Sequence, residues 1–149
     1  MASAYAMLLA GIKSSGLSPS AKLVFMKKAA DELINSRPTA VNLKWAVEKM
    51  MKVVEQSLKL NPENYILTLQ EAATDLYNED ISTNIKMSDF GARLLKKDSI
   101  VITHCNAGAL ATAGYGTALG MIRTAYKNGK IKNVFAQKSK LSCLIDCYV

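Results

Sequence analysis

Chemistry in this chain could start from Cys105, which ends the apolar run Ile100–His104 just before the small residues Asn106, Ala107, Gly108 and Ala109. A helix that begins shortly after such a turn favours the thiolate, the form in which cysteine reacts. A buried, inert thiol is the plainer reading, and it is the position at the carboxyl end of a strand that brings function into view. His104 is the single histidine. Adjacent residues of a strand face opposite ways, so no Cys–His nucleophilic pair is expected, and His104 reads as a packed or hydrogen-bonded strand-end residue. Arg37 precedes Pro38, which keeps it out of helical dihedrals and holds it extended ahead of the next helix. There it could meet an anion together with exposed helix N–H groups, the alternative being a merely solvated loop arginine. Asn106, Ala107 and Gly108 offer a backbone cradle for the polar end of a small phosphorylated ligand.

These residues need elements to place them. Ile100–His104 has the pattern of a strand buried on both faces. From Tyr115 a helical rhythm sets in (Ala118, Leu119, Ile122, Ala125, Tyr126) and stops at Asn128-Gly129, a C-cap signal. Asn133–Ala136 reads as a second strand, so residues 100–136 form one parallel βαβ crossover. One crossover cannot bury both faces of its sheet, so an α/β domain begins here without being completed.

Upstream the pattern is helical throughout. Residues 2–14 are small and apolar, and Ser15-Gly16 breaks them. Ser18-Pro19 reads as an N-cap followed by proline at the first helical position, with the helix running to about Ile34. Thr39 is expected to cap a third helix carrying Val41, Leu43, Trp45, Ala46, Met50, Val53, Val54 and Leu58. Asn61-Pro62 repeats the cap signal before a long pattern reaching about Lys96, either one helix or two with a break near Asn78–Asp80. Tyr77, Asn78, Glu79 and Asp80 form a polar patch inside it, and Gly91 marks close packing or a weak point. The expected fold is α/β: a helical domain over 1–97, then the first βαβ unit of an incomplete Rossmann-like parallel-sheet domain over 98–149.

Composition narrows the partners. Of 149 residues, half are hydrophobic and 21% charged, as in a soluble globular protein. No apolar run approaches the roughly 20 residues that a bilayer span needs, and residues 1–12 lack the basic n-region of a signal peptide. Three irregularly spaced cysteines fit a reducing compartment better than a disulfide framework, and Cys143 with Cys147 makes a poor zinc site. The net charge of +7 is spread over helix faces. Only Lys127, Lys130, Lys132, Lys138 and Lys140 cluster, without interleaved aromatics, so attraction for a phosphorylated substrate is preferred to nucleic-acid binding. The glycines of Gly114–Gly120 fall too far past the strand for a dinucleotide fingerprint, and Gln137 supplies no acid for a ribose.

Thr103–Arg123, THCNAGALATAGYGTALGMIR, resembles the signature segment of the methylthioribose-1-phosphate isomerase family, within the wider translation initiation factor 2B-like family. Ser36–Met50 and Asn84–Leu95 follow the same pattern, and the resemblance covers roughly residues 2–136. It implies a cytoplasmic aldose–ketose isomerase of methionine salvage that works without metal or cofactor on a phosphorylated sugar and is usually a homodimer. It further implies a catalytic role for Cys105 and substrate binding by Arg37, and it suits the cradle of Asn106, Ala107 and Gly108. The neighbouring families are ribose-1,5-bisphosphate isomerase and the regulatory subunits of the translation factor. Departures are equally specific. The family's Arg-Gly-Ala substrate segment would precede Met1. Its proton-donating aspartate, a glutamine and an Asn-Lys pair would follow the point, about residue 137, where the text ceases to resemble it, and Asp146 has no matching context. A chain truncated at both ends, with impaired turnover, is the expectation.

Overall fold

In the computed structural model, residues 1–104 and 107–137 are described. The order is α1 (Ala2–Lys13), α2 (Pro19–Ser36), α3 (Val41–Leu60), a 3-10 turn (Pro62–Asn64), α4 (Tyr65–Leu94), β1 (Ser99–His104), a 3-10 turn (Ala109–Ala111), α5 (Ala118–Lys127) and β2 (Ile131–Gln137). Packing divides the chain into two compact units, residues 1–77 and 78–149, with the division inside α4.

The first unit is helical. Ser18 caps α2, accepting from the Ala21 N–H at 3.4 Å, with Pro19 in the first turn. The three capping signals differ in outcome. Asn61 makes no side-chain cap, and Thr39 does not cap α3: the cap residue is Ala40, without a side-chain bond. The Ala40 N–H donates to the Arg37 carbonyl at 3.0 Å, and that turn delivers Ala40, one residue later, to the helix start. Met7, Met26, Val47, Met50, Val54, Tyr65 and Leu69 are fully buried in one core. Each such side chain contributes about 1.5–3 kcal/mol on leaving water. Gly11 lets α1 approach α4, since a Cβ there would sit 2.6 Å from Leu69 Cδ1. Val41 and Trp45, counted in the helical pattern of α3, are exposed instead, and Trp45 lies under the Lys49 ammonium at 4.6 Å.

In the second unit, β1 and β2 pair in parallel, with a register irregularity between Ser99 and Ile100. The expected burial of β1 on both faces is not found among the described residues. Thr103 is buried, whereas Ile100 and Ile102 are 59% and 81% exposed. Ile102 pairs with Phe135, also exposed, so these apolar side chains share an uncovered face while Thr103, the next residue of β1, turns inward.

α4 is one helix without a break at Asn78–Asp80. In its second half Phe90 and Leu94 are exposed, and the buried residues are Asn84, Ser88 and Ala92. Small residues face α5 because the two helices come close. A Cβ on Gly91 would strike the Met121 side chain, and one on Gly120 would sit 2.7 Å from Ser88 Oγ. α5 ends as Asn128-Gly129 signals. The Gly129 N–H donates to the Tyr126 carbonyl at 2.9 Å and the Lys130 N–H to the Ala125 carbonyl at 3.0 Å, with Gly129 at φ +66°. That is a Schellman closure. Lys130 Nζ then donates to the Ala92 carbonyl at 3.0 Å, placing a cation at the C-terminal end of α4.

Candidate functional site

The loop between β1 and α5 is built by residues that hold one another. Thr112 Oγ1 accepts from the Gly116 N–H at 3.0 Å and from the Gly114 N–H at 3.3 Å. Gly116 has φ +92°, and a Cβ there would lie 2.8 Å from the carbonyl carbon of Gly108 and 3.1 Å from the Ala107 oxygen. Only glycine allows the two strands of the loop to lie that close. The Ala107 carbonyl accepts from the N–H groups of Thr117 at 3.0 Å and Leu119 at 3.3 Å and from Thr117 Oγ1 at 3.4 Å. It thereby satisfies donors that the start of α5 would otherwise leave open.

This arrangement fixes a direction. Among the described residues no peptide bond is cis, and in a planar trans peptide the N–H points opposite to the carbonyl. With the Ala107 carbonyl turned into α5, the Gly108 N–H points away from the helix. Gly108 is itself buried, and a Cβ on it would meet Leu119 Cδ1 at 3.1 Å.

Side chains that the sequence did not assign to the site complete the support. Tyr115 Oη and Thr124 Oγ1 are 2.7 Å apart, and Arg123 Nη1 donates to the Tyr115 carbonyl at 3.3 Å while its guanidinium stacks on the ring at 5.3 Å. Asp80 Oδ2 accepts from the Ala113 N–H at 2.7 Å, and Asn84 Nδ2 donates to the Asp80 carbonyl at 2.8 Å. The polar patch read inside α4 was the one signal for Asp80. Nothing local joins it to a loop 33 residues away.

Of the residues picked from sequence, Ala107 and Gly108 are thus brought together by the start of α5. Cys105 and Asn106, like Cys143 and Cys147, lie outside the described residues. Arg37 belongs to the first unit, at the C-cap of α2, exposed and outside helical dihedrals at φ −146° and ψ 77°, in keeping with the proline that follows. His104 is exposed at the end of β1. The Thr103 hydroxyl, two residues before Cys105, is buried with no hydrogen-bond partner among the described residues. Among these residues no group of three or more His, Cys, Asp or Glu is placed to hold a metal ion, and no helix is long and apolar enough to cross a membrane.

Comparison with known proteins matches residues 2–141 to the model described as the Initiation factor 2 subunit family. A methylthioribose-1-phosphate isomerase of Thermoanaerobacter sp. (strain X514) is 44% identical over 93% of this chain and 40% of its own length. One of Thermotoga neapolitana is 47% identical over 78% of this chain and 33% of its own. Among solved structures, the 5-methylthioribose 1-phosphate isomerase of Pyrococcus horikoshii OT3 superposes with a TM-score of 0.79 at 32% identity, over 89% of this chain and 37% of that one. Translation initiation factor eIF-2B, subunit delta, from A. fulgidus gives 0.73 at 38% identity, over 93% and 40%. The chain spans about two-fifths of the length of the first relative.

Proposed function

Since the chain belongs to the initiation factor 2 subunit family, we propose that it serves the isomerisation of 5-methylthioribose 1-phosphate to 5-methylthioribulose 1-phosphate. The observation that carries this reading is the segment Thr103–Arg123, whose described residues fold as a strand end, a glycine-closed loop and a helix start, in a chain 44% identical to an isomerase over 93% of its length. The reaction rearranges one molecule and needs no external oxidant. The bond from C1 to the ring oxygen breaks and that oxygen gains a proton. Hydrogen moves from C2 to C1, and the C2 hydroxyl loses its proton to become the ketone. Cys105 is the proposed catalytic residue beside C1 and C2. Arg37 is the proposed cation for the phosphate, and Asn106, Ala107 and Gly108 supply backbone contacts, the outward N–H of Gly108 first among them. A cytoplasmic setting and a homodimer belong to the same reading.

Calorimetric titration of the purified chain with 5-methylthioribose 1-phosphate tests it. Binding is expected, weakened at least tenfold by Cys105→Ala and by Arg37→Ala. The likeness to the delta subunit of the translation factor supports a second reading, a non-catalytic regulatory subunit. No binding of the sugar phosphate, together with capture of a GTPase or its exchange partner, would replace the first reading by the second.

A further inference from the structure

We propose that Asp80 is a positioning residue for this site, holding the loop of residues 107–117 in the shape that presents the Gly108 N–H; the assignment to a substrate site rests on the isomerase reading. Along α4, residues facing the loop and α5 recur at helical spacing, and each meets a successive part of them. Asp80 takes the Ala113 N–H, the Ile81 side chain lies against Gly114, Ser88 against Gly120 and Gly91 against Met121. The last three are packing contacts that a shift of the loop would alter gradually. The first is a directional bond of 2.7 Å to an ionisable side chain, and bonds to charged acceptors are roughly twice as strong as neutral ones.

From Ala113 the constraint passes along the loop in two steps. Its neighbour Thr112 collects the N–H groups of Gly114 and Gly116. Gly116 in turn rests on Gly108 and on the Ala107 carbonyl, the group that fixes which way the Gly108 N–H points. Asp80 therefore acts through the loop and not by touching Gly108 or a substrate. Its backbone carbonyl accepts from the buried Asn84 side chain, one turn along the same helix. A carboxylate on a stable helix thus replaces the ordering that a glycine-rich loop would otherwise undergo on binding, and ordering lost in the free state weakens binding in proportion.

Two measurements on the full chain, with Asp80→Ala and Asp80→Asn, decide this. Amide hydrogen exchange resolved by segment is expected to accelerate about tenfold or more in residues 107–117 of Asp80→Ala while β1 and α5 are unchanged, and to return to within about threefold of wild type in Asp80→Asn, which keeps an oxygen acceptor. The dissociation constant for 5-methylthioribose 1-phosphate is expected to follow the same order, about tenfold weaker for alanine and rescued by asparagine. A side chain that only stabilised the fold would speed exchange everywhere and show no rescue. Unchanged exchange in 107–117 overturns the proposal, as does unchanged affinity in a chain that binds. If wild type fails to bind, the isomerase reading falls, and the exchange arm alone still decides whether Asp80 holds the loop. Should Asp80→Ala not fold, exchange at the Ala113 amide of wild type decides instead: slower exchange than at its loop neighbours is expected, and equal exchange overturns the proposal.

Discussion

Replacing Gly116 by alanine tests the loop closure most directly. Its φ of +92° lies where an L side chain is strained, at about 1–2 kcal/mol for a residue forced into that half of the map. The new Cβ would also stand 2.8 Å from the Gly108 carbonyl carbon and 3.0 Å from its Cα. Those atoms are backbone and cannot rotate away. Relief requires Ala107 and Gly108 to move, which loosens the bonds from Thr117 and Leu119 to the Ala107 carbonyl, each worth about 1 kcal/mol. Strain and loosened bonds together cost about 2–4 kcal/mol. Gly129→Ala is the control: its φ is +66°, and nothing lies within 4 Å of the added carbon, so strain alone applies, about 1–2 kcal/mol. The entropy that alanine removes from the unfolded chain is the same in both and cancels. Equilibrium urea unfolding of the two variants, compared at equal m values, should show Gly116→Ala the less stable by about 1–2 kcal/mol, the value of two loosened hydrogen bonds. A difference below about 0.5 kcal/mol, half of one such bond, would mean that the loop yields without cost and that Ala107 is not locked on α5.

Two further predictions concern the first unit. The Tyr65 hydroxyl is buried without a hydrogen-bond partner of good geometry among the described residues; burial raises its pKa above the ordinary value, and the neighbouring Ser14 hydroxyl works against this. The unfolded chain therefore ionises first, so stability is level below about pH 10 and falls as pH rises beyond it toward the folded value. Tyr65→Phe should flatten that alkaline decline and leave urea midpoints near neutrality unchanged or slightly higher, since an unsatisfied buried group is removed; a clear loss at neutral pH would show that the hydroxyl has a partner after all. Met50→Ala, at a fully buried position, should cost about 2–5 kcal/mol in urea unfolding through the cavity it leaves, and a cost under about 1 kcal/mol would place Met50 outside the core.

Local chemistry was legible in the residues themselves. Ser18-Pro19, Asn128-Gly129 and Arg37-Pro38 each set backbone geometry within a few positions, and all three act as their types dictate. The parallel crossover followed from apolar runs flanking a helical rhythm. What failed depends, Thr39 apart, on partners distant in sequence. Thr39 lost its role to a turn one residue longer. Phe90 and Leu94 are apolar yet exposed, and the face of α4 that packs is made of Asn84, Ser88 and Gly91, chosen for size. In the site, the small residues announced a close approach, but the acceptor that holds them, Asp80, is recognisable only once α4 lies beside the loop.

The continuity of α4 across Tyr77 and Asn78 has a practical consequence for genetic dissection. Packing divides there, but the backbone offers no linker. A cut at that point would leave about four carbonyls without partners on one product and about four N–H groups on the other. Proteases, which need an extended segment of several residues, have no purchase within the helix. Expression of the halves as separate polypeptides would best start from boundaries on either side of α4, at Asn61–Asn64 or at Leu95–Asp98, and neither choice returns a half with its own share of that helix alone.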